Sequence, residues 1–357
     1  MSMSKHGSLS KKNSRLSRRD FLRLSSLGIA GILIPGNLLT RLDAPDETRR
    51  KDRLLGRVQL DGYPLHIAPK PDSEVIDELS FDSVYAITGI TVCEDDSSPN
   101  RIWYELNARG YAHSRRIQPV RMQINAPASM IPKSGCLGEI TLPFVDAYSS
   151  IDARRKILYR FYYGGTFWVL DRLVDDQASV WYELLDDRNY TKFYVPAYYV
   201  RLVPKTELSA ISPDIPYEEK KLVVDLAKQS LTACVGEKVV SVMRISSGVR
   251  LKEGGFATPK GAYRTTRKRP CRHMFAPPSE IGTGFDLPGV PWVSYFTSDG
   301  VAFHGTYWHN DFGVPHSHGC INMTHQAAKW VYRWTTPHVP FDQYYYADNK
   351  GTRIIIQ

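Results

Sequence analysis

The chain has 357 residues, 42% of them hydrophobic, and a net charge of +9. That is long enough for two or three domains and apolar enough to pack their cores. The charge does not describe a nucleic-acid face: residues 1–53 carry twelve Lys/Arg against five Asp/Glu, which leaves the rest of the chain near +2. There is no G-x-G-x-x-G after a predicted strand, no P-loop and no nucleic-acid signature.

Taken in chain order, a basic, Ser-rich stretch leads into "SRRDFLRL" and then "SSLGIAGILIPG". Paired arginines before a modest apolar run resemble a twin-arginine export signal, so residues 1–45 are expected to be a signal or anchor. The run is too short and Gly-rich for a membrane span, which needs about 20 apolar residues. No small-x-small cleavage site stands out near Asp43–Ala44, so an uncleaved signal with N-terminal membrane contact stays open. No cysteine follows the run, which argues against a lipoprotein. An S-x-x-K at Ser8–Lys11 falls in this signal region and is discounted.

Residues 46–54 are charged and read as a linker. From 55, short alternating runs broken by Gly, Pro and Asp predict small antiparallel strands. "WYEL" occurs at Trp103 and again at Trp181, each followed by a turn, a Tyr-containing strand and a terminal Val/Pro pair. This predicts an internal duplication, with units at 55–122 and 137–205. The units resemble bacterial SH3-like barrels, with Trp103 and Trp181 expected to fill the two cores. Neither unit pairs a nucleophile with a base, so both are expected to position the protein rather than do chemistry. "PKTELSAISPDIPYEEK" then reads as a linker (206–220).

The last domain is expected at 221–357. "VGEK" predicts a hairpin turn at Gly236 between strands. "ATPKGAYRTT" predicts a turn at Pro259 and Gly261. "THQAAKWVYRW" places Ala327, Trp330, Val331 and Trp334 at helical spacing, with Asn322 or Thr324 as N-cap. "TRIIIQ" predicts a closing buried strand.

The chemistry gathers in "FHGTYWHNDFGVPHSHGCIN" (Phe303–Asn322), with four histidines, three glycines and one cysteine. The chain has five cysteines, Cys93, Cys136, Cys234, Cys271 and Cys320, at irregular spacing. In an exported protein an odd number leaves at least one thiol unpaired within the chain. A thiol attacks as its thiolate and needs a base or positive charge beside it; His304, His316 and His318 are near Cys320 in sequence. Gly319 lets backbone approach an oxyanion without a Cβ in the way. Gly305 frees a carbonyl to hold the His304 tautomer, the role an acid plays in other triads. Asp311, the one acid of the stretch, sits in a turn-like segment. His309, His316 and His325 read as surface or packing residues. H-x4-H followed by H-x-H-x-C is not a familiar zinc-ligand spacing, and no metal or cofactor is expected.

"HGT" followed, sixteen residues after its His, by the Cys of "SHGCIN" resembles the L,D-transpeptidase (YkuD-type) catalytic domain. "VDLAKQSLTACVGEKVV", "SSG", "ATPKGAY" and "DLPGVPWVSYF" extend the resemblance over about 221–357. It implies a mainly β protein: a C-terminal β-sandwich with one short helix after the nucleophile, preceded by the two small SH3-like barrels. It implies an exported cysteine acyltransferase of peptidoglycan and cell-wall biogenesis, with roles in cell shape and sensitivity to carbapenems. Cys320 would be nucleophile and His304 the proton acceptor and donor. Gly305 would orient His304. Ser317, His318 and Gly319, with the Cys320 backbone, would form the oxyanion turn. Tyr295 would line the cleft, and Asn322, where many members have Arg, would contact the acceptor side. The expected partner is the peptidoglycan stem peptide, with no nucleic acid. An L,D-carboxypeptidase using the same site and a non-catalytic wall-binding protein are the alternatives. "YRTTRKRPCRHMFAPPSEIGTG" (263–284) reads as an insertion over the cleft, and its basic run as a solvated loop or an attractor of anionic wall polymer.

Overall fold

A computed structural model describes residues 53–94, 98–249, 256–278 and 284–357. The expected signal or anchor and most of the linker after it lie outside the described residues. So do 279–283 of the expected insertion.

Seven strands follow first: β1 (Leu55–Val58), β2 (Tyr63–His66), β3 (Val75–Leu79), β4 (Val84–Val92), β5 (Ile102–Leu106), β6 (Gly110–His113) and β7 (Ile117–Val120). They form one sheet in the order β3-β2-β6-β5-β4-β1-β7. Seven more follow: β8 (Cys136–Ile140), β9 (Phe144–Tyr148), β10 (Ile157–Tyr162), β11 (Thr166–Val174), β12 (Val180–Asp186), β13 (Thr191–Pro196) and β14 (Val200–Leu202). Their order, β10-β9-β13-β12-β11-β8-β14, is the first order shifted by seven. The two "WYEL" segments therefore occupy the equivalent strands β5 and β12. Each last strand is preceded by a single 3-10 turn, Ser114–Arg116 and Ala197–Tyr199.

The tryptophans do not fill the cores. Side chains alternate across a strand, and the neighbouring Tyr and Leu point inward. Tyr104 and Leu106 join the apolar cluster of the first unit, Tyr182 and Leu184 that of the second. Trp103 is buried on the other face, edge-on to the rings of His66 and His113. Trp181 lies edge-on to Tyr148, and its indole N–H donates to Asp175 at 2.8 Å.

The remaining strands are β15 (Lys220–Asp225), β16 (Ser230–Val235), β17 (Lys238–Arg244), β18 (Gly261–Arg264), β19 (Arg267–Ala276), β20 (Phe285–Tyr295), β21 (Ala302–Gly305), β22 (Ile321–Met323), β23 (Tyr346–Ala347) and β24 (Arg353–Ile356). They form two five-stranded sheets, β17-β16-β15-β24-β18 and β22-β21-β20-β19-β23. One cluster fills the space between them: Leu222, Val224, Leu231, Ile354 and Ile356 from the first sheet meet Trp292, Phe303, Ile321 and Met323 from the second. The hairpin turns at Gly236, with φ +55°. The closing strand β24 sits between β15 and β18, parallel to β15. Helix His325–Trp334 is capped by Thr324, whose hydroxyl accepts from the Ala327 N–H, and it buries Ala328, Val331 and Trp334.

Two buried lysines serve that helix's C-terminus, where carbonyls lack intrahelical partners and cations are favoured. Lys268 Nζ donates to the carbonyls of Tyr332 (2.7 Å) and Thr335 (2.6 Å), and Lys220 Nζ to that of Trp334 (3.1 Å).

Two sequence expectations need correction. The segment 206–220 is no free linker: Leu208 and Ile211 pack on the sandwich core, and Glu207 of the short helix Lys205–Leu208 pairs with Arg201 and Lys329. The described part of 263–284 is no solvated loop either, but a strand that walls the cleft. It supplies β19, paired along its length with β20.

Both N-terminal units are integral to the sandwich. Leu137 and Trp168 of the second belong to the sandwich core itself. Asp187, just past β12, accepts from Arg272 (2.8 Å), from Arg269 (3.2 Å) and from the backbone N–H of His273. The first unit reaches the chain between β21 and β22, described next.

Candidate active site

β21 and β22 run parallel, with His304 opposite Asn322 and Phe303 opposite Ile321. Cys320 stands two residues before Asn322, at the entry to β22. The parallel pairing is what draws the two ends of the Phe303–Asn322 motif together. Cys320, Tyr295 and His318 line one cleft of about 630 Å³, whose wall is β19, β20 and the 299–301 turn.

His304 is buried, and its Nδ1 lies 2.9 Å from the Gly305 carbonyl. A carbonyl only accepts, so Nδ1 carries the proton and Nε2 is the basic nitrogen. A Cβ on Gly305 would meet Pro291 Cγ at 2.8 Å and His325 Cδ2 at 2.9 Å, so the position demands glycine on packing grounds. Burial pushes the His304 imidazole down to about 4, against the raising effect of the Gly305 carbonyl. Burial pushes the Cys320 thiol up to about 11, partly offset by the Ala302 N–H. At neutral pH both groups are uncharged. The thiol points its S–H at the Gly300 carbonyl, 3.8 Å away.

The turn before the thiol is built by small residues. Gly319 has φ +107°, a conformation glycine alone adopts without strain. Ser317 Oγ accepts from the Gly319 N–H at 3.1 Å and donates to the Cys320 carbonyl. Beneath it lies "SSG": Ser247 O accepts from the N–H groups of His316 and Ser317, and Ser246 exchanges backbone bonds with Asn322. A Cβ on Gly248 would sit 1.9 Å from the Phe256 carbonyl and 2.8 Å from Gly319 Cα. Thr258 clips the layers, accepting from Gly248 N–H and donating to the Gly319 carbonyl. His318 is exposed, its ring resting between Phe256 and Phe285.

Asn322 departs from expectation. It is buried, is absent from the cleft lining, and places its side-chain amide 2.9 Å from His309 Nε2. The Asp311 N–H donates to His309 Nδ1, so Nε2 carries the proton. Asn322 then faces it with Oδ1, which otherwise lacks a partner. Its role is to brace His309, not to touch an acceptor.

Sequence reasoning also missed what holds the chain between the two catalytic strands. His309 stacks on His316, whose Nε2 donates to Asp311 at 2.8 Å. The other Asp311 oxygen accepts from Asn100 of the first N-terminal unit at 3.0 Å. Arg57 and Gln59 both donate to the Tyr307 carbonyl, at 2.7 and 2.8 Å. Asn310 bonds to the Arg115 and Ser114 carbonyls and to Tyr104. No local signal marks these contacts, because they join residues some 200 positions apart in sequence. His325 packs against Gly164 of the second unit, where a Cβ would overlap its ring. Among the described residues no three His, Cys, Asp or Glu side chains are grouped to hold a metal ion.

Residues 219–356 match the family model "L,D-transpeptidase catalytic domain" (YkuD). A Bacillus subtilis protein described as a putative L,D-transpeptidase, YciB, is 28% identical over 130 residues, which are 34% of this chain and 63% of that protein. The chain therefore spans less than two thirds of that relative's length. Among solved structures, an L,D-transpeptidase from Xylanimonas cellulosilytica is 25% identical over 44% of this chain and 64% of its own, with a TM-score of 0.27. One from Mycobacterium smegmatis is 17% identical over 76% of this chain and all of its own, with a TM-score of 0.32. The sandwich that carries Cys320 and His304 is thus similar, over residues 219–356, to L,D-transpeptidase catalytic domains of the YkuD type.

Proposed function

We propose that the protein is an exported peptidoglycan L,D-transpeptidase working through a Cys320 acyl-enzyme. One observation carries the reading: a buried His304, locked by the Gly305 carbonyl into the tautomer whose Nε2 is basic, is held by strand pairing beside the strand that Cys320 opens. Substrate binding brings a carbonyl carbon to Sγ. The thiol proton passes to His304 Nε2 as the C–S bond forms. The amide C–N bond then breaks, and the leaving amine of the terminal D-residue takes the proton back from His304. An acceptor amine attacks the thioester and gives a proton to His304, which passes it to Cys320 Sγ as the C–S bond breaks. Gly319's N–H is committed to Ser317 Oγ, so the developing oxyanion falls to the amides of His318 and Cys320. A good donor there contributes about 3 kcal/mol.

Tyr295 lines the cleft and contacts the donor peptide. The two N-terminal units are SH3-like barrels that hold the catalytic domain and bind the wall, and residues 1–45 direct export. Water as acceptor would make the enzyme an L,D-carboxypeptidase through the same acyl-enzyme. The test is incubation with a carbapenem and then with stem peptides, followed by mass spectrometry. A covalent adduct on Cys320 and cross-linked dimers are expected. Shortened monomers alone would favour the carboxypeptidase, and no adduct on folded protein would favour a non-catalytic wall-binding protein.

A further inference from the structure

The basic run of 264–272 is divided by the fold. Arg264 donates to the Gly351 carbonyl, and Lys268 is buried beneath the helix. Arg267, Arg269 and Arg272 instead line the cleft that holds Cys320. Each is fixed from behind. Arg267 lies over the Tyr295 ring at 4.4 Å and donates to the Thr297 and Ser298 carbonyls. Arg269 and Arg272 share one carboxylate, Asp187, which is buried behind the wall. Among the described residues the lining offers one acid, Asp299. Three guanidiniums thus face Asp299 and a single shared carboxylate, and the wall keeps surplus positive charge with N–H groups to spare.

We propose that these three arginines make the enzyme selective for acyl donors whose stem peptide carries free side-chain carboxylates, over the same peptide with those carboxylates amidated. The proposal rests on the acyl-transfer reading above. A guanidinium presents a planar fork that meets a carboxylate bidentately, and an amide cannot repay it with charge. The arginines are held before substrate arrives, so little side-chain entropy is lost on binding. The Arg269 and Arg272 side chains are partly buried, 19% and 29% exposed, which strengthens the attraction over that of a fully exposed pair. The shared Asp187 belongs to the second N-terminal unit, so that unit helps aim Arg269 and Arg272.

The test uses the full-length protein, a stem peptide with free carboxylates, its amidated counterpart and an acceptor amine. Thioester on Cys320 and product are followed by mass spectrometry, and carbapenem acylation serves as a substrate-independent check. The wild type is expected to favour the free-carboxylate donor by about ten- to hundredfold in kcat/KM, the range of one charge-assisted hydrogen bond. The preference is expected to shrink from 50 mM to 500 mM salt. Arg267→Gln and Arg272→Gln, each checked by thermal melt, should bring the ratio toward one. Equal kcat/KM on both donors in the wild type overturns the proposal, as does an undiminished ratio in both variants. If Cys320 takes up neither donor nor carbapenem, the acyl-transfer reading itself fails, and the proposal with it.

Discussion

Cys320 and His304 sit where burial, not ion pairing, sets their charge. Burial raises the thiol to about 11 and lowers the imidazole to about 4, so the resting pair is neutral. Proton transfer must then accompany attack, and the required form of the base is neutral His304. We expect kcat/KM to be level across the neutral range and to fall in acid as His304 takes a proton near 4. An acid limb near neutral pH would instead mean that the His304 imidazole keeps its ordinary pKa in the working enzyme. Cys320→Ser should abolish transfer in a folded protein, because a hydroxyl has a far higher pKa than a thiol and His304 has only a carbonyl behind it. Retained cross-linking by that variant would remove Cys320 from the role of nucleophile.

At the level of strands and helices, β19 shows how one element does two jobs. Its Lys268 turns inward to the C-terminus of helix His325–Trp334, while Arg267 and Arg269 turn to the cleft. Burial, and secondarily Lys220, holds the Lys268 ammonium well below its ordinary pKa, a cost offset by two carbonyl acceptors. Lys268→Met removes both donors and leaves two buried carbonyls unpaired. We expect a loss of about 2–4 kcal/mol, read as a fall in denaturant midpoint; a change below about 0.5 kcal/mol would mean that water replaces the ammonium. The sequence made other parts of this layer readable. Thr324 as N-cap, Gly236 as hairpin turn and "TRIIIQ" as a buried strand are local signals, and the structure has all three. Cys320, His304 and the two glycines beside them were singled out by local signals too, and the β21–β22 pairing brings their strands side by side. Lys268 was not, because a lysine in a run of arginines looks solvated until the helix end it serves is packed over it. Asn322 was expected on the acceptor side because its partner, His309, comes to it only through the β21–β22 pairing.

On the scale of the whole molecule, the first N-terminal unit holds the chain that joins His304 to Cys320. Asp311 is the centre of that contact. Burial alone would raise its pKa, but hydrogen bonds from His316 and Asn100 prevail and hold it at about 2. A carboxylate with a depressed folded-state pKa stabilises fully above its unfolded value, near 4, and loses that contribution as pH falls toward 2. The contribution is about 2 kcal/mol. Asn100→Ala should therefore reduce the loss of stability between pH 5 and pH 2, measured by thermal melts; an unchanged pH dependence would place the titrating contact elsewhere.

Truncation tests the whole arrangement. Two separable binding modules would predict that a chain starting near Pro216 keeps its acylation. The structure argues otherwise on two counts. Removing the first unit leaves the Tyr307 carbonyl, Asn310 and Asp311 without their partners Arg57, Gln59, Tyr104 and Asn100. Removing the second takes Leu137 and Trp168 out of the sandwich core and exposes the apolar surface they covered. A buried tryptophan alone contributes about 3–5 kcal/mol, a large part of the 5–15 kcal/mol by which a domain is typically stable. The expected outcome for residues 216–357 is aggregation, or a loose protein that a carbapenem acylates at least tenfold more slowly than the full chain. Soluble, cooperatively folding 216–357 with full-chain acylation kinetics would show that the N-terminal units are accessories after all.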